Sequence, residues 1–146
     1  MTLFSPWFSS VAVLVIACCS VIGFQPKVPS IDGQWQAVGG MRSGRELGPD
    51  YLATITVTVA NGIMTIAEPG IAEKATVVRL APGNPGQIDL EVTVGGKKVM
   101  LEGIYQIQDN QWTLCVSKSQ ERGVSRPKSF EATGEGISLL KLKRAS

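Results

Sequence analysis

The chain has 146 residues, with 14 Lys and Arg against 12 Asp and Glu, a formal net charge of +2 at pH 7, and no histidine. This length fits one domain plus a short appendage, because single domains cluster at about 100 to 150 residues. The absence of histidine excludes Ser-His and Cys-His nucleophile systems and His-ligated metals. The small charge, without a basic stripe, disfavours a nucleic-acid partner.

The first element in chain order is an uncharged leader. No charged side chain precedes Lys27, and residues 11–17 form an apolar run of the length expected for the core of an export signal. We therefore assign residues 1–24 to a signal peptide or lipoprotein signal, residues 25–31 to an extended linker and residues 32–146 to the folded domain.

Three fates of this leader remain open. Residues 15–18 resemble a bacterial lipobox, in which Cys18 would be lipidated, whereas residues 21–23 suit ordinary signal peptidase. Residues 3–24 are also long enough for an uncleaved anchor, since about 20 apolar residues cross a bilayer. We expect an exported protein of the cell envelope or periplasm, whose membrane contact is this segment or its lipid.

After the linker, apolar and polar residues alternate with period two, which is typical of half-buried β-strands. Strands are predicted over residues 33–41 and 53–60, with one helical turn at residues 49–52 between them. An Asn-Gly pair at 61–62 predicts a tight hairpin, because a type I′ turn needs positive φ at both central residues. Its register pairs apolar with apolar and threonine with threonine: Val59 with Met64, Val57 with Ile66, and Thr58 with Thr65.

Further strands follow, two of which end in short turns that also set a register. A strand over residues 75–80 ends at a rigid turn that contains two prolines, and the turns at 95–96 and 109–110 predict hairpins. Their predicted pairs are Val92 with Val99, Leu90 with Leu101, Ile107 with Trp112, and Tyr105 with Leu114. Three registers that keep one face apolar are hard to obtain by chance, because a one-residue slip would turn every side chain over.

The last strand is predicted over residues 137–143, which gives about eight or nine short strands. Consecutive hairpins favour an all-β, antiparallel up-and-down barrel of about eight strands, because closure removes the exposed edges of the sheet.

Several motifs point to a family. Gly33-x-Trp35 resembles the Gly-x-Trp signature of lipocalin-type barrels. A larger set, in order along the domain, resembles a planctomycete-type family of secreted, lipocalin-like domains of unknown function. The set comprises Gly33-x-Trp35, Pro85-x-x-Ile88-Asp89-Leu90, Gly103-Ile104-Tyr105, Leu114-Cys115, Arg126-Pro127-x-x-Phe130 and Leu140-x-Leu142-x-Arg144. The resemblance brings no established activity, and Asn110 departs from it where members often carry glycine.

The resemblance also implies a role for Trp35. In lipocalin-type barrels this Trp plugs the closed end beneath an arginine, and Arg144 is the matching position with Arg126 as the alternative. A ligand-stacking role is the other reading of Trp35. Tyr105 and Trp112 face inward by the predicted register, where they would line a cavity or fill a small core.

Arg126 and Phe130 lie in the long irregular stretch of residues 117–136. Such loops often carry function, although this one could instead tuck against the barrel mouth and leave Arg126 solvated. Cys115 is the lone domain cysteine and is predicted to be a buried structural residue. Asp89 alternates outward and is predicted to be solvated.

We predict no catalytic residues, metal or cofactor. The expected function is the binding of a small lipophilic or amphipathic ligand by Tyr105, Trp112, Arg126 and Phe130. The alternative is a non-catalytic structural or protein-interaction module with a filled barrel and unknown protein partners. Inward-facing side chains discriminate the two, because large ones would leave no room for a ligand.

Overall fold

The structure is a computed structural model that describes Gly23, residues 27–118 and residues 125–146. Apart from Gly23, the predicted leader, with Cys18, lies outside the described residues, as does part of the long loop. The described elements are β1 (Gly33–Arg42), β2 (Arg45–Glu46), α1 (Pro49–Leu52), β3 (Thr56–Ala60), β4 (Ile63–Glu68), β5 (Ile71–Ala81), β6 (Gly86–Val94), β7 (Lys97–Gln108), β8 (Gln111–Lys118) and β9 (Ile137–Arg144). Within these residues no helix is both long and apolar enough to cross a bilayer.

The strands form a closed antiparallel barrel. From β3 to β9 each strand pairs with the next one along the chain, and β1 pairs with both β3 and β9. β2 is a short addition that pairs with β1 outside the ring of eight strands. The predicted all-β, up-and-down barrel of about eight strands is therefore confirmed.

The three predicted hairpin registers are confirmed. Val59 pairs with Met64, Val92 with Val99, and Tyr105 with Leu114. Asn61 and Gly62 have φ of 53° and 74°, the positive values that a type I′ turn requires. The turn residues and the two-residue period were sufficient here because each strand has one buried face.

The barrel has two distinct ends. The Trp35 end contains the start of β1 and the turns at residues 61–62, 82–85 and 109–110. The helix end contains α1 and the turns at residues 69–70 and 95–96.

Two predicted strand boundaries were wrong. β3 begins at Thr56 and not at residue 53, because α1 starts at Pro49 and its cap residue Ala53 has helical φ and ψ. β5 begins at Ile71, before the predicted residue 75. Ile71–Lys74 are exposed, so they lack the apolar alternation on which the prediction depended.

The interior of the barrel is filled by side chains. The largest of those that are almost completely buried are Trp35, Trp112, Ile55, Met64, Ile88, Leu90 and Leu142. The core also takes in Ile31, so the last residue of the predicted linker belongs to the packed domain.

A second apolar cluster lies on the outer face of the sheet. Ile104, Cys115 and Leu139 pair with one another across β7, β8 and β9, and their neighbours along each strand face the interior. Ala132 and Phe130 from the long loop pack on them. The described part of this loop therefore covers the outside of the barrel.

Candidate functional site

Trp35 and Arg144 seal one end of the barrel. The Trp35 Nε1–H donates to the Ile31 carbonyl over 2.8 Å, and the Arg144 guanidinium carbon lies 4.2 Å from the Trp35 ring centroid. Arg144 Nη1 also donates to the Asp32 carbonyl over 2.8 Å. The structure thus places Arg144 over Trp35, whereas Arg126, the alternative, lies on the outer face.

A glycine makes this seal possible. Gly33 has φ of 120°, and a Cβ built there would lie 2.9 Å from Arg144 Nη1. Both the backbone conformation and the close approach favour a residue without a side chain. Gly33 and Trp35 of the Gly-x-Trp motif therefore act together, one by admitting the arginine and the other by binding it.

Trp112 lies beside Trp35 inside the barrel. The two ring centroids are 5.3 Å apart and the ring planes meet at 64°, an edge-to-face arrangement that aromatic pairs prefer. Trp112 is 0% exposed, and its Nε1–H has no acceptor among the described residues. An unpaired buried donor is costly, and among the described residues this nitrogen is the one buried side-chain polar atom without a hydrogen-bond partner.

Tyr105 is also inward-facing, but its hydroxyl is already occupied. The phenol donates to the Ala81 carbonyl over 3.0 Å, and its ring covers Gly86, where an added Cβ would lie 2.5 Å from ring atoms. Burial raises the pKa of Tyr105. The side chain therefore ties the β5–β6 turn to β7.

A small cleft borders Tyr105 at the Trp35 end. Its volume is about 210 Å³, and its lining includes Ile107, Gln108, Asn84 and Pro29. Amide side chains and backbone form part of this lining, so the cleft is more polar than the barrel interior.

Arg126 anchors the long loop to the outside of β6 and β7. Its Nη2 lies 2.6 Å from Asp89 Oδ1, and its Nη1 donates to the Gly103 carbonyl over 2.7 Å. Both side chains are mostly buried, with 21% of Arg126 and 16% of Asp89 exposed. The prediction that Asp89 is solvated was therefore wrong, and so was the alternative in which the loop tucks against the barrel mouth and leaves Arg126 solvated.

Cys115 and Phe130 belong to the outer cluster. Cys115 is fully buried, and burial raises the pKa of its thiol, which disfavours the reactive thiolate. Phe130 is half-buried against the same cluster. The four predicted ligand-binding residues thus do not converge: Tyr105 and Trp112 lie inside the barrel, and Arg126 and Phe130 lie outside it.

A polar cluster at the helix end was missed from the sequence. Arg42 forms an ion pair with Glu68, and the Tyr51 hydroxyl donates to Glu68 Oε2 over 2.6 Å. The hydrogen bond from Arg42 holds the pKa of Glu68 below its ordinary value, with a smaller contribution from Tyr51. The sequence did contain a signal for this cluster. Glu68 continues the inward-facing series of Met64 and Ile66, and an inward-facing carboxylate needs a partner.

A larger cleft between β5 and β6 was also missed. It measures about 930 Å³ and is lined by residues 71–76 of β5, by Glu91 and residues 93–95 on the β6 side, and by Ile63 of β4. Its exposed large apolar side chains are Ile63, Ile71 and Val94. Among the described residues, no three His, Cys, Asp or Glu side chains come together as metal ligands.

No family model, curated protein or solved structure matches this chain. The planctomycete-type resemblance thus stays a prediction.

Proposed function

We propose that this chain is a non-catalytic interaction module of the cell envelope, in which a filled barrel is the scaffold and the outer surface makes the contacts. The observation that carries the proposal is the interior. Trp35, Trp112 and the aliphatic side chains of the core occupy the space that a ligand would need. An eight-stranded barrel is just wide enough to be filled by its own side chains or to hold one small ligand, so large buried side chains inside it favour the first outcome.

The proposal includes export by the leader, and membership of the planctomycete-type, lipocalin-like family. The uncharged residues 1–26 and the apolar run at 11–17 support export, with Cys18 lipidated if the lipobox is used and a cleaved or anchored leader otherwise. Intact-mass measurement of the native protein tests this. Retention of Met1 with an unmodified leader, in a soluble cell fraction, would contradict it.

A titration tests the filled interior. Purified domain is titrated with free indole, whose binding is followed by calorimetry, and with a lipophilic fluorescent probe, whose binding is followed by the emission of the probe. We expect saturable binding of neither. Trp112→Ala is the positive control, because truncation of a buried indole leaves an apolar cavity of the kind that binds small aromatic molecules.

A second candidate function is the binding of a small lipophilic or amphipathic ligand. It is favoured by the cleft beside Tyr105 and by the buried Trp112 Nε1–H without an acceptor. Saturable binding by the wild type that is lost in Trp112→Phe, which removes the N–H but keeps an aromatic ring, would replace the first proposal with this one.

A further inference from the structure

β5 and β6 separate at the helix end of the barrel. β5 pairs with β4 from Ile71 onward, but its pairing with β6 begins only at Ala75, opposite Val92. Continuation of that register would set Lys74 opposite Thr93 and Glu73 opposite Val94. Neither pair forms within the described strands, so one edge of residues 71–74 faces the cleft of about 930 Å³.

Glu73 gives a physical reason for this separation. It pairs with Ile66, which packs against the barrel core, so Glu73 lies on the interior face of the sheet. Closure of β5 onto β6 would carry its carboxylate toward the apolar interior, and burial of an unpaired charge is expensive. Ile71, two residues earlier on the same face, is 61% exposed, and Val94 across the cleft is 53% exposed.

We propose that this cleft binds an extended segment of a partner protein, which adds as an antiparallel strand to the free edge of β5. The main-chain N–H and C=O groups of an unpaired strand edge are satisfied best by another strand. The exposed Ile71 and Val94 supply apolar contacts that such a segment would cover. This inference rests on the proposed interaction-module function and names the kind of partner.

The side chains of β5 specify the segment further. In an antiparallel pair, directly opposed side chains lie on the same face, and opposite charges there are stabilising. The segment therefore carries an apolar residue opposite Ile71, a Lys or Arg opposite Glu73, and an Asp or Glu opposite Lys74. Alternation of this kind is a sequence pattern that can be searched for and synthesised.

A second copy of this chain fits the edge less well. Two copies related by a two-fold axis perpendicular to the sheet have their interior faces on the same side. A side chain on the interior face of one copy is therefore opposed only by side chains on the interior face of the other. Glu73 would then meet Glu73, Ile71 or Ala75 of the other copy and never Lys74. No symmetric register therefore places Glu73 of one copy opposite Lys74 of the other, so we infer that the partner is a different protein.

The experiment uses a designed probe peptide, acetyl-Thr-Thr-Glu-Lys-Val-Val-Thr-Thr-amide, which sets Lys opposite Glu73 and Glu opposite Lys74. Two N-methylated versions accompany it: one is methylated at Glu and the first Val, the other at Lys and the second Val. Only one edge of the peptide can pair with β5, so one version should lose affinity by about tenfold or more and the other should not. Calorimetry gives the affinities, and hydrogen exchange reports protection of the amides of residues 71–74.

A charge swap makes the register testable. Wild type should prefer the original peptide over the peptide with Glu and Lys exchanged, and Glu73→Lys should abolish this preference, because each peptide then makes one opposite-charge pair and one like-charge pair. Glu46→Lys is the matched control, because it makes the same charge change at an exposed residue of β2 and should leave the preference unchanged. Equal binding of both N-methylated peptides, no binding of the original peptide, or a preference insensitive to Glu73→Lys would overturn the inference.

Two other outcomes are distinguishable. Concentration-dependent dimers with protected amides at residues 71–74 would identify a second copy as the occupant and reject a different partner. Failure of the peptide while the barrel still excludes indole and the lipophilic probe would reject the strand-addition site alone. Binding of the probe inside the barrel would instead reject the filled-barrel function itself.

Discussion

The Trp35 end and the β5–β6 cleft treat charged side chains in opposite ways. At the Trp35 end, Arg144 lies on an aromatic ring and donates to a main-chain carbonyl, so a charge helps to complete the barrel. At the cleft, Glu73 lies on the interior face without a cation opposite it, and two strands stay apart. A closed barrel thus needs only part of its height to be fully paired.

The largest expected effect is at the Trp35 end. Trp35→Ala should lower the free energy of unfolding by about 3–5 kcal/mol, as truncation of large buried aromatic residues does. Urea denaturation followed by circular dichroism measures it. Trp35→Phe, which keeps an aromatic ring beneath Arg144 but loses the hydrogen bond to Ile31, should cost clearly less. An unfolding midpoint unchanged in Trp35→Ala would mean that this end does not hold the barrel closed.

The next largest effect on the free energy of unfolding is expected where Arg126 anchors the long loop to the outside of the barrel. Arg126→Met removes a mostly buried cation and leaves Asp89 and the Gly103 carbonyl without that donor, so it should lower the free energy of unfolding by about 1–3 kcal/mol. Lys128→Met, at an exposed position of the same loop, is the matched control and should change little. Equal stability of the two variants would show that the loop is not anchored by Arg126.

A pH effect distinguishes the polar cluster at the helix end. Because Arg42 lowers the pKa of Glu68 in the folded protein, the ion pair stabilises the fold above the ordinary glutamate pKa, about 4.3, and this part is lost as pH falls through the lower folded-state value. Arg42 is partly exposed, so the contribution should be no more than about 1 kcal/mol. The free energy of unfolding, measured by denaturation at pH 6 and at pH 3, should differ less between the two pH values in Glu68→Gln than in the wild type. The same acid sensitivity in wild type and variant would assign the effect to other carboxylates.

The smallest effect on stability is expected at the cleft. Ile71→Thr and Val94→Thr change exposed side chains, so the free energy of unfolding should move by less than about 0.5 kcal/mol. Thermal denaturation of each variant beside the wild type measures this. A loss of several kcal/mol would mean that these side chains are packed, and the contrast between the two regions would fail.

Most of the fold could be predicted from the sequence because the hairpin turns and the two-residue period of apolar residues independently indicate the same strand register. The Asn-Gly turn at 61–62 set the β3–β4 register, and the buried face of each strand excluded a slip. The start of β5 could not be predicted in this way. Ile71–Lys74 are paired along one edge only and exposed on both faces, so no apolar alternation marks them.

The candidate site was less accessible to sequence reasoning. The inward direction of Tyr105 and Trp112 followed from the register and is confirmed, but the side of the sheet on which Arg126 docks depends on tertiary contacts with Asp89 and the Gly103 carbonyl. The residues of a loop have no regular apolar period from which its path over the barrel could be predicted. Cross-sheet distances, such as that between Arg126 and Asp89, appear only when the strands are assembled.

The contacts at the Trp35 end also fix the point at which the N-terminal segment joins the barrel. Ile31 is buried and Arg144 donates to the Asp32 carbonyl, so the chain enters the barrel at that end and is held there. A lipid on Cys18, or an uncleaved anchor, would therefore pull on the Trp35 end. Such an attachment would leave the β5–β6 cleft at the opposite end of the barrel from the attached segment.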